Sequence, residues 1–156
     1  MELLENLNKT WFVDIDGTLF VHRSNEELDE MIEKHEMESH LQEAPIQEAI
    51  DFINNLPEKD RVLLTTARES RHLPHTLRAL YHYEVRFDQI IDGLGSGPRI
   101  VVNDIKPKGS ANNKYPLATA YAINVTRNLG NLEVVYDDIE ENIKIELGNS
   151  KSVSLV

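Results

Sequence analysis

Asp14 and Asp16 stand where the apolar run Trp11-Phe12-Val13 ends, and Gly17-Thr18 follows them directly. Residues two apart on a strand share a face, so the two carboxylates are expected to point the same way. Like charges held that close disfavour each other unless a cation lies between them. The pair therefore asks for a metal. Gly17 lets the chain turn where a side chain would crowd such a site, and Thr18 adds a hydroxyl near the turn. An exposed Asp-Gly turn is the plain alternative, but apolar residues flank the pair on both sides, with Leu19-Phe20-Val21 behind. A calcium loop numbered from Asp14 would need Gly at its sixth position and Glu at its twelfth; the chain has Leu19 and Asn25 there.

The elements that must position these residues read as strands alternating with helices. Trp11 to Val13 is a buried strand ending at the carboxylates. Ser24-Asn25-Glu26-Glu27 has the form of a capping box, and Leu28, Met31, Ile32 and His35 continue it at one-face helical spacing. This predicts a strongly acidic helix over Ser24–Glu43. Ala44-Pro45 restarts a helix, with Pro45 in its first turn, and Ile46, Ala49, Ile50 and Ile53 line one face until Pro57. Arg61 to Thr66 is a short β-branched strand. Leu73, Leu77, Leu80 and Tyr81 predict a helix, and a short strand is expected within Phe87–Leu94. Arg99-Ile100-Val101-Val102 reads as a strand ending at Asn103-Asp104, and Ile105–Pro116 as a long loop. Ala118–Val125 and Leu132–Tyr136 are further strand candidates. A helix through Leu147 and a last strand, Ser152–Val156, complete the reading. The alternation points to an α/β fold: a mainly parallel, Rossmann-like sheet in three layers with helices on both faces, and sites at the carboxyl ends of its strands.

The chain has 156 residues, a net charge of −11 and no cysteine. That length suits a single domain over 1–156. The acidic balance argues against nucleic acid as a partner, because backbone binding relies on clustered Lys and Arg. The charge is unevenly placed: Ser24–Asp60 holds 12 acids against 2 bases, and Arg61–Gly130 holds 10 bases against 5 acids. A basic middle segment beside a bound cation could focus an anionic substrate. Without cysteine, neither disulfides nor thiolate metal sites form, which fits a cytoplasmic protein. The acidic N-terminus and the lack of a long apolar stretch imply neither targeting nor membrane association. The six histidines form no convincing metal site, and surface or capping roles are expected for them.

The rule for strand ends gathers Asp14 and Asp16, then Thr65 and Thr66, then Asn103 and Asp104. This set, in this order, resembles the haloacid dehalogenase superfamily of phosphatases. In that family Asp-x-Asp-Gly-Thr comes first, a Thr or Ser ends the second strand, and an acidic motif ends a later one. The resemblance covers roughly the first four fifths of the chain, and the stretch from Gly97-Pro98-Arg99 through Asn103-Asp104 to Tyr115-Pro116, and on to Ala122-Ile123-Asn124-Val125 with Arg127, resembles compact members associated with surface-sugar and nucleotide-sugar synthesis. It implies Asp14 as a nucleophile forming an aspartyl phosphate and Asp16 as general acid and base. It also implies Thr66 as a hydroxyl donor to the transferring phosphoryl group. Thr66-Ala67-Arg68 fits the family's Thr-x-Arg form, so Arg68 would touch substrate or pair with an acid, a surface salt bridge being the plainer reading. The implied metal is Mg2+, held by Asp14, the backbone carbonyl of Asp16, and Asp104. Asp137 and Asp138 are the alternative late acids. The implied substrate is a small phosphorylated metabolite such as a sugar phosphate, and a homo-oligomer is compatible with an open site.

Two departures stand out. The family carries a Lys or Arg between its second motif and the late acids, and no Lys lies between Thr66 and Asn103. Arg99 is the best-placed substitute, with Lys106 and Lys108 on the loop beyond. The cap that many members carry is minimal or absent, and residues 20–44, the acidic helical segment, could serve as a small lid. A catalytically silent protein that keeps the metal and phosphate site as a sensor is the competing reading. A mutase or dehalogenase of the same superfamily is a third.

Overall fold

A computed structural model of the chain describes residues 6–130. These belong to two compact units, one of residues 8–96 and 125–130, the other including 97–124. The strand candidate Leu132–Tyr136, the helix through Leu147, the strand Ser152–Val156, and Asp137 and Asp138 all lie outside the described residues.

The first unit is α/β. Its sheet has three parallel strands in the order β1 (Thr10–Asp14), β2 (Arg61–Thr65) and β3 (Gln89–Ile91). β1 runs beside β2 from Thr10 opposite Arg61 to Asp14 opposite Thr65, and Leu63 to Thr65 face Gln89 to Ile91. Parallel neighbours need crossover connections, and helices supply them: α1 (Asn25–His35) and α2 (Gln47–Asn54) join β1 to β2, and α3 (Leu73–His82) joins β2 to β3. Apolar residues of the sheet, the loop after β1 and the helices, among them Ile15, Phe20, Ile50, Leu64 and Leu80, form one buried core. At the other end of β1, buried Asp60 accepts the Lys9 N–H at 3.1 Å and the Trp11 indole N–H at 3.0 Å, which ties β1 to the start of β2.

The capping box forms as its residue types require. Ser24 Oγ accepts the Glu27 N–H and the Glu27 carboxylate accepts the Ser24 N–H, both at 3.1 Å. The long acidic helix, however, is interrupted. α1 stops at His35 because Glu36 adopts φ +49°, and Glu36–Gln42 continues as a 3-10 turn. Pro45 does not open α2. The Val21 N–H donates to Ala44 O at 2.9 Å and the Ile46 N–H to Leu19 O at 2.8 Å. Residues 44–46 therefore run antiparallel to the loop after β1, a pairing that satisfies backbone groups of both segments.

In the second unit, Lys106 and Leu117 bridge antiparallel around the turn they enclose. Buried Asn113 organises that turn, donating to Pro107 O at 3.1 Å and to Tyr115 O at 2.5 Å. The expectation of a strand at Arg99–Val102 is corrected: these residues are irregular, and Val102 is 93% exposed. Ala118–Val125 is irregular as well. A β-branched run makes a strand only when a partner edge and a buried face are available, and among the described residues neither run has them.

Candidate active site

β1 ends at Asp14, which is exposed and lies in register with Thr65 on β2. The pleat does not carry on to Asp16. The Ile15 carbonyl accepts the N–H groups of Thr18, Leu19 and Phe20 at 3.2, 2.9 and 3.1 Å, so the chain leaves the strand and turns tightly around a fully buried Ile15. The shared face expected for Asp14 and Asp16 is thus not that of a continued strand. Gly17 takes φ +85°, donates to Phe20 O at 2.7 Å and accepts the Asn128 N–H at 2.8 Å. Only glycine adopts that backbone without strain. A Cβ there would also lie 3.1 Å from Arg127 Cγ.

Asp16 is oriented by Arg68. The guanidinium donates through Nε to Asp16 Oδ2 at 2.9 Å and through Nη2 to Oδ1 at 2.8 Å. Its remaining donors go inward: Nη1 to Glu43 Oε2 at 2.6 Å and Thr76 Oγ1 at 3.0 Å, and Nη2 to Glu43 Oε1 at 3.2 Å. An arginine side chain has five N–H donors, and these bonds engage them all. The expected surface salt bridge is therefore corrected: Arg68 is 1% exposed and has no donor left for a substrate. Burial alone would make the guanidinium less basic, but the hydrogen bonds and charges of Asp16 and Glu43 outweigh it and hold it more basic than usual. Its face also lies 6.0 Å from the Phe20 ring centroid.

Glu43 is the centre of the inner half of the cluster. His75 Nε2 lies 2.7 Å from Glu43 Oε2, and His75 Nδ1 lies 2.7 Å from Ser39 Oγ. A carboxylate only accepts, so Nε2 carries the proton. For Glu43, burial works to raise the carboxyl pKa, but the bonds from His75 and Arg68 and their charge outweigh it and hold the group below the usual carboxylate range. The Ser-His-Glu order resembles a nucleophilic triad, yet Ser39, His75 and Glu43 are all buried, which closes that chemistry to any substrate.

Thr66 follows β2 and is fully buried. Its N–H donates to Ile91 O at 2.9 Å, and its hydroxyl accepts the Arg68 N–H at 3.0 Å. Beside it opens a cleft of about 520 Å³ lined by Asn25, Ala67, Glu69, Ser70, Asp92 and Ser96. The cleft wall is tied to α1 through His72, whose Nδ1 accepts the Glu69 N–H at 3.1 Å. His72 Nε2 consequently holds the proton and donates to Asp29 Oδ1 at 2.7 Å. Arg71 pairs with Asp29 at 2.9 and 3.0 Å, and these bonds, followed by that from His72, lower the Asp29 pKa to about 2. Of the surface or capping roles expected for the histidines, His72 fills a capping one through the Glu69 N–H, but neither His72 nor His75 lies at the surface, both being buried.

Four of the expected site residues, Asp14, Asp16, Thr66 and Arg68, are brought to the carboxyl edge of the sheet. Arg99, Asp104 and Lys106 belong to the other unit. There Arg99 donates to Gly97 O at 2.9 Å and the Asp104 carbonyl accepts the Thr119 hydroxyl. The strand that was to carry Asp104 to the sheet edge does not form. Glu43 and His75 were missed by sequence reasoning, their only signal being acid and imidazole placed among apolar neighbours. Arg127 was passed over as a cation. It is exposed, lies against Gly17, and forms no ion pair among the described residues.

The donors at this edge are oxygens alone, a chemistry that fits a hard cation such as Mg2+. Among the described residues no group of three or more His, Cys, Asp or Glu side chains converges to hold a metal. No helix among them is long and apolar enough to cross a membrane.

No protein-family model matches the chain, and no curated protein matches it. Among solved structures, a chain of the Pnkp1/Rnl/Hen1 complex aligns at 18% identity and TM-score 0.43 over 60% of this chain and 31% of that one. The present chain thus spans about a third of its length. An MCSG target from Vibrio cholerae aligns at 17% identity and TM-score 0.46 over 88% of this chain and 98% of that one. At such scores neither likeness bears on function.

Proposed function

We propose that the chain is a magnesium-dependent phosphatase of the haloacid dehalogenase superfamily with a Rossmann-like fold, acting on a small phosphorylated metabolite such as a sugar phosphate. The supporting observation is the Arg68-oriented carboxylate of Asp16 beside Asp14, at the carboxyl edge of two parallel strands with Thr66 at the end of the second.

In this reading Asp14 attacks phosphorus, the ester P–O bond breaks, and the leaving oxygen takes a proton from Asp16. Asp16 then takes a proton from water as that water attacks the acyl phosphate, releasing inorganic phosphate and restoring Asp14. A carboxylate offers about four lone-pair sites, so the two Arg68 bonds leave positions on Asp16 for the proton. The Thr66 hydroxyl accepts from Arg68 N and keeps its own proton, and because Thr66 is fully buried its donation to a phosphoryl oxygen requires the turn after β2 to open when substrate binds. Arg68 is fully committed, so Arg127 beside Gly17 is the described cation best placed to meet the phosphate charge. The Asp14 carboxylate and the Asp16 carbonyl would hold Mg2+, the late acid that the resemblance implies being Asp104 or one of Asp137 and Asp138; the ion would supply charge neutralisation at the phosphoryl group.

Hydrolysis of an aryl phosphate that requires Mg2+ and disappears in Asp14→Asn is the expected result. Turnover undiminished in that variant would sink the assignment. Binding of phosphorylated compounds without turnover across a broad panel would favour a silent sensor instead.

A further inference from the structure

Asp16 is held by a side chain that is itself held. Arg68 reaches Asp16 with one edge of its guanidinium and Glu43 with the other, and Glu43 Oε2 also faces His75 Nε2. The backbone around Glu43 is pinned as well. Its carbonyl accepts the Tyr83 hydroxyl at 3.1 Å, and Ala44 and Ile46 are bonded to Val21 and Leu19 of the loop that carries Asp16. Glu43 is therefore referenced to the turn at Asp16 twice, once through the main chain and once through Arg68.

The arrangement is more than a charge balance. A guanidinium is planar, and a bidentate bond on one edge fixes its plane. The Glu43 bonds thus set the plane and position from which Arg68 presents Nε and Nη2 to Asp16. If Arg68 were tied to Asp16 alone, both side chains could swing together. His75, held by Ser39 at its other nitrogen, keeps Glu43 from rotating away.

We propose that Glu43 is a positioning residue for Asp16, acting through Arg68, with His75 and Ser39 as its support. The proposal rests on the reading of Asp16 as the proton-transfer group. Glu43 touches neither substrate nor reacting atoms. Its effect is to hold the Asp16 carboxylate in one orientation, which matters for the chemical step more than for binding.

The test has two arms. In the first, solvent exchange of the Arg68 Nε–H is followed by 1H–15N NMR, its signal identified by loss in Arg68→Lys. Exchange is expected to be slow in the wild-type chain and about tenfold or more faster in Glu43→Gln, because the clamp holding that proton against Asp16 has loosened. In the second, Glu43→Gln is expected to lower kcat on an aryl phosphate by about tenfold or more while KM stays within about threefold, as for an interaction felt in the transition state. Should Glu43→Gln fail to fold by circular dichroism, Glu43→Asp takes its place, with the same direction in both arms and a smaller effect. A folded variant in which Arg68 exchange and kcat both match wild type overturns the proposal, as does a loss confined to KM. A wild-type chain without turnover overturns the phosphatase reading alone, and the exchange arm then decides whether Glu43 sets Arg68.

Discussion

Arg68 and Asp16, 52 residues apart in the chain, meet in a bidentate ion pair with bonds of 2.9 and 2.8 Å. Only 14% of the Asp16 side chain surface and 1% of the Arg68 side chain surface remain exposed. The pair joins the turn after β1 to the turn after β2, so the same contact that orients the candidate acid also closes the carboxyl edge of the sheet.

Breaking this contact from the arginine side is expected to be costly. Arg68→Ala leaves Glu43 buried with its main cation removed, and losing one partner of a buried ion pair typically costs about 3–5 kcal/mol. Urea unfolding of the variant against wild type measures it; a loss below about 1 kcal/mol would mean that the cluster relaxes into water.

Changing Asp14, the nucleophile of the proposed function, should spare the fold. Asp14 is exposed, so Asp14→Asn should still fold, and in the phosphatase reading it should lower Mg2+-dependent hydrolysis by about a thousandfold or more. Steady-state kinetics and the unfolding midpoint, taken on one preparation, separate the two effects.

Acid should loosen the cluster in a defined window. The folded pKa of Glu43 lies below its ordinary value of 4.5, so its contribution is fully present above that value and is lost as pH falls through the folded one. Asp29 behaves likewise between its ordinary 3.8 and about 2, with a weaker effect because its side chain is 47% exposed. The urea midpoint should therefore fall as pH drops below the ordinary Glu43 value of 4.5, and Glu43→Gln should flatten that slope more than Asp29→Asn does.

Two glycines separate strain from crowding. Gly17 and Gly109 take nearly the same backbone, φ +85° and +86°, but a Cβ on Gly17 meets Arg127 Cγ at 3.1 Å and one on Gly109 meets nothing within 4 Å. Gly109→Ala should cost only the backbone strain of about 1–2 kcal/mol. Gly17→Ala should cost more, and in the phosphatase reading should also lower activity by moving Asp16. Thermal unfolding of both variants reads the difference.

Arg127→Ala should leave stability unchanged, the side chain being exposed and without an ion pair among the described residues. In the phosphatase reading it should raise KM for a phosphate ester by about tenfold, the loss of one charge-assisted contact. Unchanged KM would return the cation role to Arg99, Lys106 or Lys108.

Legibility in the sequence follows the range of the interaction. The capping box at Ser24 and Glu27 was readable because both partners sit within one turn. The strands at Trp11–Val13 and Arg61–Thr66 were readable because short β-branched or aromatic runs suit a pleated surface, but the burial expected along Trp11–Val13 is corrected: Val13 is buried and Phe12 is 55% exposed. The same rule misled at Ile100–Val102, since a run of that kind needs an edge to pair with, and the sequence does not say whether one is available. Pro45 was misplaced for a similar reason: first-turn preference is local, whereas pairing with Leu19 and Val21 is not.

What the sequence by itself determined is the set of chemical types: Asp14 and Asp16 at the end of a strand, a glycine where the chain must turn, and a threonine ending the next strand. What only the tertiary structure decided is how Asp16 is held. Arg68, Glu43 and His75 lie 52, 27 and 59 positions from Asp16, and each reads alone as an ordinary surface residue. Burial removes water as their partner, and a desolvated charge must then find its hydrogen bonds within the protein. That requirement acts only once the helices close over the sheet, and no pattern of neighbouring residues encodes it.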